Sequence, residues 1–119
     1  MTSTTRAFGL YAENLAARYL ENKGFKILHQ NFRYRRYEID LIVYKEALIV
    51  FVEVKARKND LFGCPETFVN NKKIKAIRRV AEHYLYIKKY NRPIRFDTIA
   101  IIGNQNEGVQ LMHFEDSFY

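Results

Sequence analysis

Residues 37–57 read YEIDLIVYKEALIVFVEVKAR, and this stretch decides the fold. Two runs rich in Leu, Ile, Val and Phe flank the pair Glu46 and Ala47, and such runs are typical of buried β-strands. The pattern predicts one strand over residues 37–44, a second over residues 48–57 and an antiparallel hairpin between them. Because the pair lacks the Asn-Gly or Gly that a tight hairpin turn favours, a longer loop centred on the same point is the alternative.

Ionisable side chains interrupt both predicted strands. Glu38 and Asp40 lie two positions apart in the first strand, and Glu53 and Lys55 lie two positions apart in the second. Residues at this spacing point to the same face of a sheet. A hairpin turning at residues 46–47 places Asp40 opposite Glu53 and Glu38 opposite Lys55, with facing β-carbons about 5 Å apart. Two carboxylates at that separation can reach one ion between them.

This pattern is typical of a divalent-metal site. Neighbouring buried carboxylates repel each other unless a cation joins them, and oxygen ligands suit Mg²⁺ or Mn²⁺. Asp40, Glu53 and the main-chain carbonyl of Val54 supply three such ligands. Lys55 is placed to orient a water molecule or to stabilise a phosphate, so the parts match metal-assisted phosphodiester hydrolysis. The alternative is a surface hairpin with cross-strand ion pairs. The apolar surroundings favour the metal site, because an unpaired charge there costs several kcal/mol.

Composition indicates a globular protein that meets polyanions. At 119 residues the chain is long enough for one core and too short for two, so we expect a single domain over residues 1–119. Hydrophobic residues make up 48% of the chain, which excludes a disordered protein. Twenty Lys and Arg against thirteen Asp and Glu give a net charge of +7, which makes nucleic acid the first candidate partner. A basic protein that merely stays soluble is the alternative.

The sequence carries no sign of a disulfide, a zinc site or a membrane segment. Cys64 is the only cysteine and has no Cys or His cluster near it, so we interpret it as a buried structural residue. The N-terminal residues 1–6 are polar, and the apolar runs are only a few residues long. A signal peptide, a transmembrane span and a membrane partner are therefore not expected, and the cytoplasm is the predicted location.

A helix and a strand are predicted before the hairpin. Apolar residues recur at helical spacing over residues 5–23, and Gly24 ends the helix. Glu13 lies on the shoulder of the apolar stripe, where a solvated side chain is the ordinary interpretation. Residues 25–36 predict a strand whose basic and aromatic end could bind phosphates or could simply be solvated. The arginines of that end are Arg33, Arg35 and Arg36.

A second helix is predicted after the hairpin. Residues 58–71 contain turn-forming residues and predict a mobile loop, and Asn70 or Asn71 caps a helix that runs to about Tyr90. The cations of this helix have Glu82 as the only acid among them, which favours phosphate contact over a merely solvated face. We assign nucleic-acid contacts to Arg57 and to Lys72, Lys73, Lys75, Arg78 and Arg79 of this helix.

Two further strands complete the order of elements. Residues 94–102 predict a strand interrupted by Arg95 and Asp97, which could pair with each other or support the site. A polar turn and a final strand over residues 109–114 follow. The resulting order α-β-β-β-α-β-β, without repeats, indicates an α/β fold with a mixed sheet of about five strands flanked by helices.

The ordered motifs of the chain resemble those of the YraN-like family, small bacterial proteins in the PD-(D/E)XK nuclease superfamily. The resemblance covers nearly the whole chain and is carried by GLYAE at residues 9–13, EIDLI at 38–42, VEVKAR at 52–57, RFD at 95–97 and single positions between them. The family often has glycine where this chain has Ala12 and Tyr37. Tyr37 therefore puts a bulky group near the expected path of a phosphate.

This resemblance implies a restriction-endonuclease-like fold with Asp40, Glu53 and Lys55 at the catalytic positions. It also implies a supporting acid on the first helix at Glu13, as in the similar archaeal Holliday-junction resolvases, in place of the solvated interpretation. By the same analogy we expect a homodimer, because resolvases cut two strands symmetrically.

Three functions compete. The first is a Mg²⁺- or Mn²⁺-dependent endonuclease acting on DNA rather than RNA, with branched and single-stranded forms as candidate substrates. The second is a nucleic-acid-binding module that keeps the nuclease fold without turnover. The third is a basic structural or interaction domain with no nucleic-acid role. Sensitivity of DNA cleavage to Asp40→Ala or Glu53→Ala separates the first from the second, and retardation of DNA at low salt separates both from the third.

Overall fold

A computed structural model of the protein describes residues 3–58, 71–104 and 106–117. Within these ranges the elements are α1 (Ser3–Asn22), β1 (Lys26–Tyr34), β2 (Tyr37–Lys45), β3 (Leu48–Arg57), α2 (Asn71–Lys88), β4 (Ile94–Asn104) and β5 (Gly108–Phe114). This order confirms the predicted order of elements. The predicted mobile loop lies, except for its first and last residues, outside the described residues, and so does Cys64.

The five strands form one sheet in the order β1-β2-β3-β4-β5. The strands β1, β2 and β3 pair antiparallel, β4 lies parallel to β3, and β5 returns antiparallel to β4. A parallel pair needs a crossover connection, which the segment containing α2 supplies. The mixed sheet with flanking helices confirms the expected α/β class.

The two helices cover opposite faces of the sheet. Alternate residues of β3 divide between two cores, because Val50 and Val52 pack with α1 whereas Ile49 and Phe51 pack with α2. All four side chains are buried. A strand that is covered on both faces reads as a continuous apolar run, as β3 does in the sequence.

Small residues let α1 lie close to the sheet. Ala12, Ala16 and Leu20 are completely buried along one stripe of the helix. Gly24 follows the helix at φ 98°, a left-handed conformation that glycine adopts without strain. The N–H of Phe25 then donates to the carbonyl of Leu20 at 3.0 Å and closes the last turn, so the predicted helix end is confirmed.

One face of α2 is buried against the sheet. Ile77, Val80, Ala81 and Tyr84 lie in the core. Tyr84 lies edge-on to Phe51 with ring centroids 6.0 Å apart, an arrangement that aromatic pairs favour. Lys72, Lys75 and Arg79 of α2 are exposed and are therefore directed away from this core.

A two-residue turn at Glu46 and Ala47 confirms the predicted position of the hairpin. Lys45 pairs with Leu48 across it, and the two turn residues have φ values of 50° and 66°. Positive φ at both central residues gives the turn a twist that matches the flanking strands. The longer loop is not formed, because the buried strands on both sides outweigh the local cost of left-handed backbone.

The ladder between β2 and β3 ends before the charged residues. In the predicted register, its last pair is Leu41 with Val52. The expected continuation of this ladder, with Asp40 opposite Glu53, does not form. Instead, Oδ2 of Asp40 accepts a hydrogen bond from the N–H of Val54 at 2.7 Å. A side chain has taken the place of a main-chain partner, and this opens the sheet at one end of the hairpin.

Replacing Phe51 with alanine is expected to lower the free energy of unfolding by about 3–5 kcal/mol, because the completely buried ring leaves a cavity. Urea-induced unfolding followed by circular dichroism measures the change. Tyr86→Ala is the matched control: its ring is 81% exposed, so stability should change by less than about 0.5 kcal/mol. Equal losses for the two variants would contradict the placement of Phe51 in the core.

Candidate metal centre

The candidate site lies beside the end of the β2–β3 ladder. Asp40 of β2 accepts the N–H of Val54, and Glu53 and Lys55 flank Val54 on β3. Glu53 is 5% exposed and Lys55 is 9% exposed, so both charged groups are held inside the protein. Nζ of Lys55 lies 3.1 Å from Oε2 of Glu53, which confirms that these two side chains share a face of the sheet.

Asp40 is the most strongly perturbed acid of the site. Burial, together with the charge of Glu53, raises the pKa of Asp40 from the ordinary value of 3.8 to about 8, although the hydrogen bond from the N–H of Val54 acts in the opposite direction. A large pKa shift caused by burial and by a like charge marks a candidate functional residue. Asp40 and Glu53 are therefore close enough to repel each other, as the sequence interpretation requires.

A second lysine joins Glu53 from the helix side. Lys73 in the first turns of α2 forms an ion pair with Glu53. The side chain of Lys73 is 35% exposed and that of Lys55 is 11% exposed. Burial lowers the pKa of Lys55 despite the attraction of Glu53, whereas the attraction of Glu53 outweighs burial and raises the pKa of Lys73. Lys73 therefore holds its proton firmly, and Lys55 gives up its proton more readily.

An asparagine bridges two further acids at the edge of the site. Nδ2 of Asn31 donates to Oε1 of Glu13 at 3.3 Å and to Oε2 of Glu38 at 3.0 Å. Asn31 has φ 54°, a left-handed conformation that asparagine tolerates better than most residues. Burial raises the pKa of Glu13, the hydrogen bond from Asn31 lowers it, and the charges of Glu38 and Glu53 raise it. Glu13 thus lies within electrostatic reach of the site.

Glu38 pairs with β1 rather than with Lys55, contrary to the expected hairpin pair. Arg33 lies directly opposite Glu38, and Nη2 of Arg33 donates to Oε1 of Glu38 at 2.8 Å. The side chain of Arg33 is 64% exposed, and an exposed pair of this kind is typically worth no more than about 1 kcal/mol. Arg33 therefore lies at the rim of the site, where a stronger anion can compete for it.

Two acids and one main-chain carbonyl form the predicted ligand set. Within the described ranges, no group of three or more His, Cys, Asp and Glu side chains is arranged to hold a metal. A set made of Asp40, Glu53 and the carbonyl of Val54 is of another kind, since Mg²⁺ is commonly held by one or two carboxylates and completes its shell with water and phosphate. Burial and the charge of Glu53 both disfavour the ionised form of Asp40, and a divalent cation there would offset both effects.

Most of the other predicted nucleic-acid residues gather in one place. A cavity of about 450 Å³, which we call the basic cavity, lies between the β1–β2 turn and α2. Its charged lining consists of Arg35, Arg36, Lys72, Lys75 and Arg79. Arg78 instead lines a separate cavity with Arg95, and the guanidinium of Arg57 donates to the carbonyl of Ala56 at 2.8 Å. Five of the residues predicted to contact nucleic acid therefore lie together in the basic cavity, whereas Arg57 and Arg78 lie outside it.

Arg95 and Asp97 pair with each other, which is one of the two predicted alternatives. The guanidinium of Arg95 donates to both carboxylate oxygens of the completely buried Asp97, at 2.8 and 2.9 Å. Nε2 of His113 lies 2.7 Å from Oδ2 of Asp97, and the N–H of Asp116 donates to Oδ1 at 3.0 Å. Although burial opposes it, these hydrogen bonds hold the pKa of Asp97 below its ordinary value. The cluster joins β4, β5 and the residues after β5.

Sequence reasoning missed three contributors to these clusters. Asn31 and His113 carry no pattern that marks their contacts, and Lys73 was assigned to nucleic acid rather than to Glu53. The contact of Lys73 with Glu53 could have been suspected from its position, because Lys73 lies at the start of α2, just after the connection from β3. Asp97 and His113 become neighbours only when β4 and β5 pair, and Glu13 and Asn31 only when α1 packs beside β1.

Comparison with known proteins places the chain among bacterial relatives. Residues 12–101 match the uncharacterised protein family UPF0102. A UPF0102 protein of Bacteroides thetaiotaomicron is 40% identical over 111 residues, which cover 93% of this chain and 91% of the relative. One from Clostridium perfringens is 44% identical over 102 residues, covering 85% and 84%. One from Chlorobium phaeobacteroides is 40% identical over 124 residues, covering 99% and 98%.

These matches confirm the resemblance at the level of the family, and the superfamily part of it stays a prediction. The relatives' names state no activity, so the chemistry has to be argued from the site. No helix in the described part of the chain is long and apolar enough to cross a membrane.

Asp40→Asn is expected to raise the free energy of unfolding at neutral pH. The pKa of Asp40 is about 8 in the folded protein, whereas the unfolded chain has the ordinary value of 3.8. Between these two pH values the folded protein therefore binds a proton at Asp40 that the unfolded chain does not bind. The stability of the unsubstituted protein should therefore fall relative to the variant as pH rises from about 4 to about 8. Urea unfolding across this range, with a chelator present, measures the difference. Glu21→Gln, at an exposed acid of α1, is the control. A pH-independent gap between Asp40→Asn and the unsubstituted protein would contradict the shift.

Proposed function

The chain belongs to the uncharacterised protein family UPF0102, and we propose that it is a Mg²⁺- or Mn²⁺-dependent endonuclease that hydrolyses phosphodiester bonds in DNA. The observation that carries the proposal is the group formed by the half-buried Asp40 with the buried Glu53 and Lys55 at the end of a strand ladder. The net charge of +7 and the basic cavity support a nucleic-acid substrate.

Function explains this group better than stability does. A carboxyl whose pKa is raised to about 8 disfavours the ionised form at neutral pH, so Asp40 as a carboxylate destabilises the fold. Well-packed apolar residues often replace buried charged groups without loss of stability. An arrangement that is costly to the fold is typical of a functional site.

Asp40, Glu53 and the carbonyl of Val54 would hold the ion. A divalent cation there supplies three effects: it offsets the repulsion between the acids, lowers the pKa of a bound water and neutralises charge that grows on the phosphate. The hydrogen bond from Val54 keeps Asp40 in place beside Glu53. The ligands are thus carried by neighbouring strands rather than by a loop, which favours accurate positioning.

The two lysines at Glu53 suit different tasks. Lys55 is the more buried of the two and holds its proton less firmly, so it can orient a water molecule or exchange a proton near the phosphate. Lys73 stays protonated and fixes the carboxylate of Glu53 from the side of α2. Glu13, linked through Asn31, supports the acidic side of the site.

A non-catalytic nucleic-acid-binding module is the second candidate. The observation that favours it is that Glu53 already has two lysine partners, so its charge is balanced without a metal ion. In that case the site is a structural ion-pair cluster, and the cations of α2 act alone. The two candidates differ in whether Asp40 and Glu53 bind a divalent cation.

Adding Mn²⁺ is expected to raise the Tm of the protein by several degrees. An ion that binds only the folded form contributes about 2.7 kcal/mol at one hundred times its Kd. Differential scanning fluorimetry with Mn²⁺ and with EDTA measures the shift. Asp40→Asn and Glu53→Gln should lose it, and the control Glu21→Gln should keep it. A shift that survives both site variants would place the ion elsewhere, and an unshifted wild-type protein would favour the binding module.

The purified protein is expected to nick branched or single-stranded DNA when Mg²⁺ or Mn²⁺ is present. Asp40→Asn, Glu53→Gln and Lys55→Met should each lower the rate by about 100-fold or more, because each removes a group that acts on the developing charge. Denaturing gels with end-labelled DNA measure the rate, and circular dichroism checks the fold of each variant. Glu21→Gln should cleave at the wild-type rate. Cleavage that persists in all three site variants would identify a contaminating nuclease and overturn the proposal.

A further inference from the structure

The basic cavity has a shape and lining that its positive charge alone does not explain. Its volume of about 450 Å³ falls in the range of about 300–1,000 Å³ that is common for pockets holding one small ligand. Among the described residues, its lining has no acidic side chain. Two tyrosines, Tyr34 and Tyr37, form part of the wall next to the cations. A cation surface with aromatic side chains is the combination that proteins use for unpaired nucleotides.

The β1–β2 turn is built to present this wall. Tyr34 pairs with Tyr37 across the turn, so Arg35 and Arg36 occupy its tip. Arg35 has φ 60°, and a left-handed residue that is not glycine costs on the order of 1 kcal/mol. This turn is therefore maintained at a local cost, and it places two successive arginines in the lining of the cavity.

The two tyrosines differ in what covers their rings. Tyr34 stacks on His83 of α2 with centroids 3.9 Å apart and planes at 16°, and the guanidinium carbon of Arg35 lies 5.2 Å from the same ring. Tyr34 is thus fixed as part of the wall. Tyr37 is 40% exposed, which leaves much of its side chain open to a ligand.

We propose that the basic cavity binds an unpaired nucleotide of a DNA strand, with its base stacked on Tyr37 and its phosphates held by Lys75, Arg79 and Lys72. A duplex presents phosphates but hides the faces of its bases, so the exposed ring of Tyr37 would contribute little to duplex binding. An acidic protein offers charges without the stacked planar groups that suit this ring. The mixture of features therefore favours single-stranded DNA.

The position of the cavity relates it to the candidate metal centre. Tyr37 precedes Asp40 by three residues on β2, roughly 10 Å along an extended strand. Lys72 lines the cavity, and the next residue, Lys73, contacts Glu53. The two acids therefore lie within reach of a strand that is held in the cavity. This inference rests on the proposed endonuclease function for its biological meaning, but not for its test.

Fluorescence anisotropy with a labelled single-stranded oligodeoxynucleotide, and with the matched duplex, tests the inference in EDTA, where no cleavage occurs. The single strand should bind more tightly than the duplex. Tyr37→Ala should weaken single-strand binding about ten-fold, because stacking is worth about 1–3 kcal/mol per base, and should change duplex binding by less than about two-fold. Tyr37→Phe should bind as the wild-type protein does.

Matched pairs of charge removals test the phosphate contacts. Lys75→Ala/Arg79→Ala should weaken single-strand binding and reduce the slope of log affinity against log salt by about 1.4, since each lost phosphate contact removes about 0.7. Lys88→Ala/Arg92→Ala removes the same net charge from exposed positions outside the cavity and should have a much smaller effect.

Three results would overturn the inference: equal losses for the two double variants, unchanged single-strand binding in Tyr37→Ala, or equally tight binding of a polyglutamate peptide. The endonuclease proposal can fail separately. If the wild-type protein binds as described but cleaves no DNA, the cavity stands and the hydrolytic function falls. If metal-dependent cleavage is lost in Asp40→Asn while Tyr37→Ala binds normally, the hydrolytic function stands and the cavity falls.

Discussion

The hydrogen bond from the N–H of Val54 to the carboxylate of Asp40 is the contact on which the site depends. A buried main-chain N–H must find an acceptor, and at this point of β3 the neighbouring strand supplies a side chain instead of a carbonyl. The contact holds Asp40 beside Glu53. The N–H of Val54 needs an acceptor, and by accepting it Asp40 is held close to Glu53 although the two acids repel each other. Loss of the acceptor oxygen, as in Asp40→Ala, would leave both the N–H of Val54 and the geometry of the site without support.

The same strand serves the core with one half and the site with the other. From Ile49 to Val52 every side chain of β3 is buried between the helices, which makes this half the rigid centre of the sheet. From Glu53 onward its side chains include the charged groups of the site, and β4 continues to pair with it in parallel. The charged half is therefore anchored by apolar packing a few residues away. Small alanines of α1 allow this close packing on one face, and the aromatic contacts of α2 complete it on the other.

The local sequence pattern was sufficient to predict the helices, strands and turns, but it was not sufficient to predict the side-chain contacts between them. The turn at Glu46, the alternation along β3 and the helix end at Gly24 follow from neighbours in sequence, and all were predicted. The end of the ladder at Leu41 was not, because it depends on whether a side chain or a carbonyl reaches the N–H of Val54. The bridge through Asn31 needs α1 to pack beside β1, and alternation or helical periodicity says nothing about that distance. Alternation places Arg95 and Asp97 on one face of β4, but it does not say whether they pair with each other or support the site, so their pairing was stated as one of two alternatives.

The cations near the site and those of the basic cavity differ in whether acidic side chains lie beside them. Arg33 and Lys73 each have an acidic partner, Glu38 and Glu53, so part of their charge serves the edge and the interior of the site. Among the residues that the structure describes, the lining of the basic cavity contains five cations and no acid, and the nearby Glu82 lines a neighbouring cavity with Arg35 and Arg79. A polyanion approaching from solution is attracted most strongly where positive charge is least compensated. A polyanion would then meet the basic cavity first. Lys73, which pairs with Glu53, follows Lys72 of the cavity lining and so lies between the cavity and the two acids. Because Glu53 is paired with Lys55 and Lys73, the negative charge beside Asp40 is partly offset. The chain can therefore carry two neighbouring carboxylates next to a cavity lined by cations.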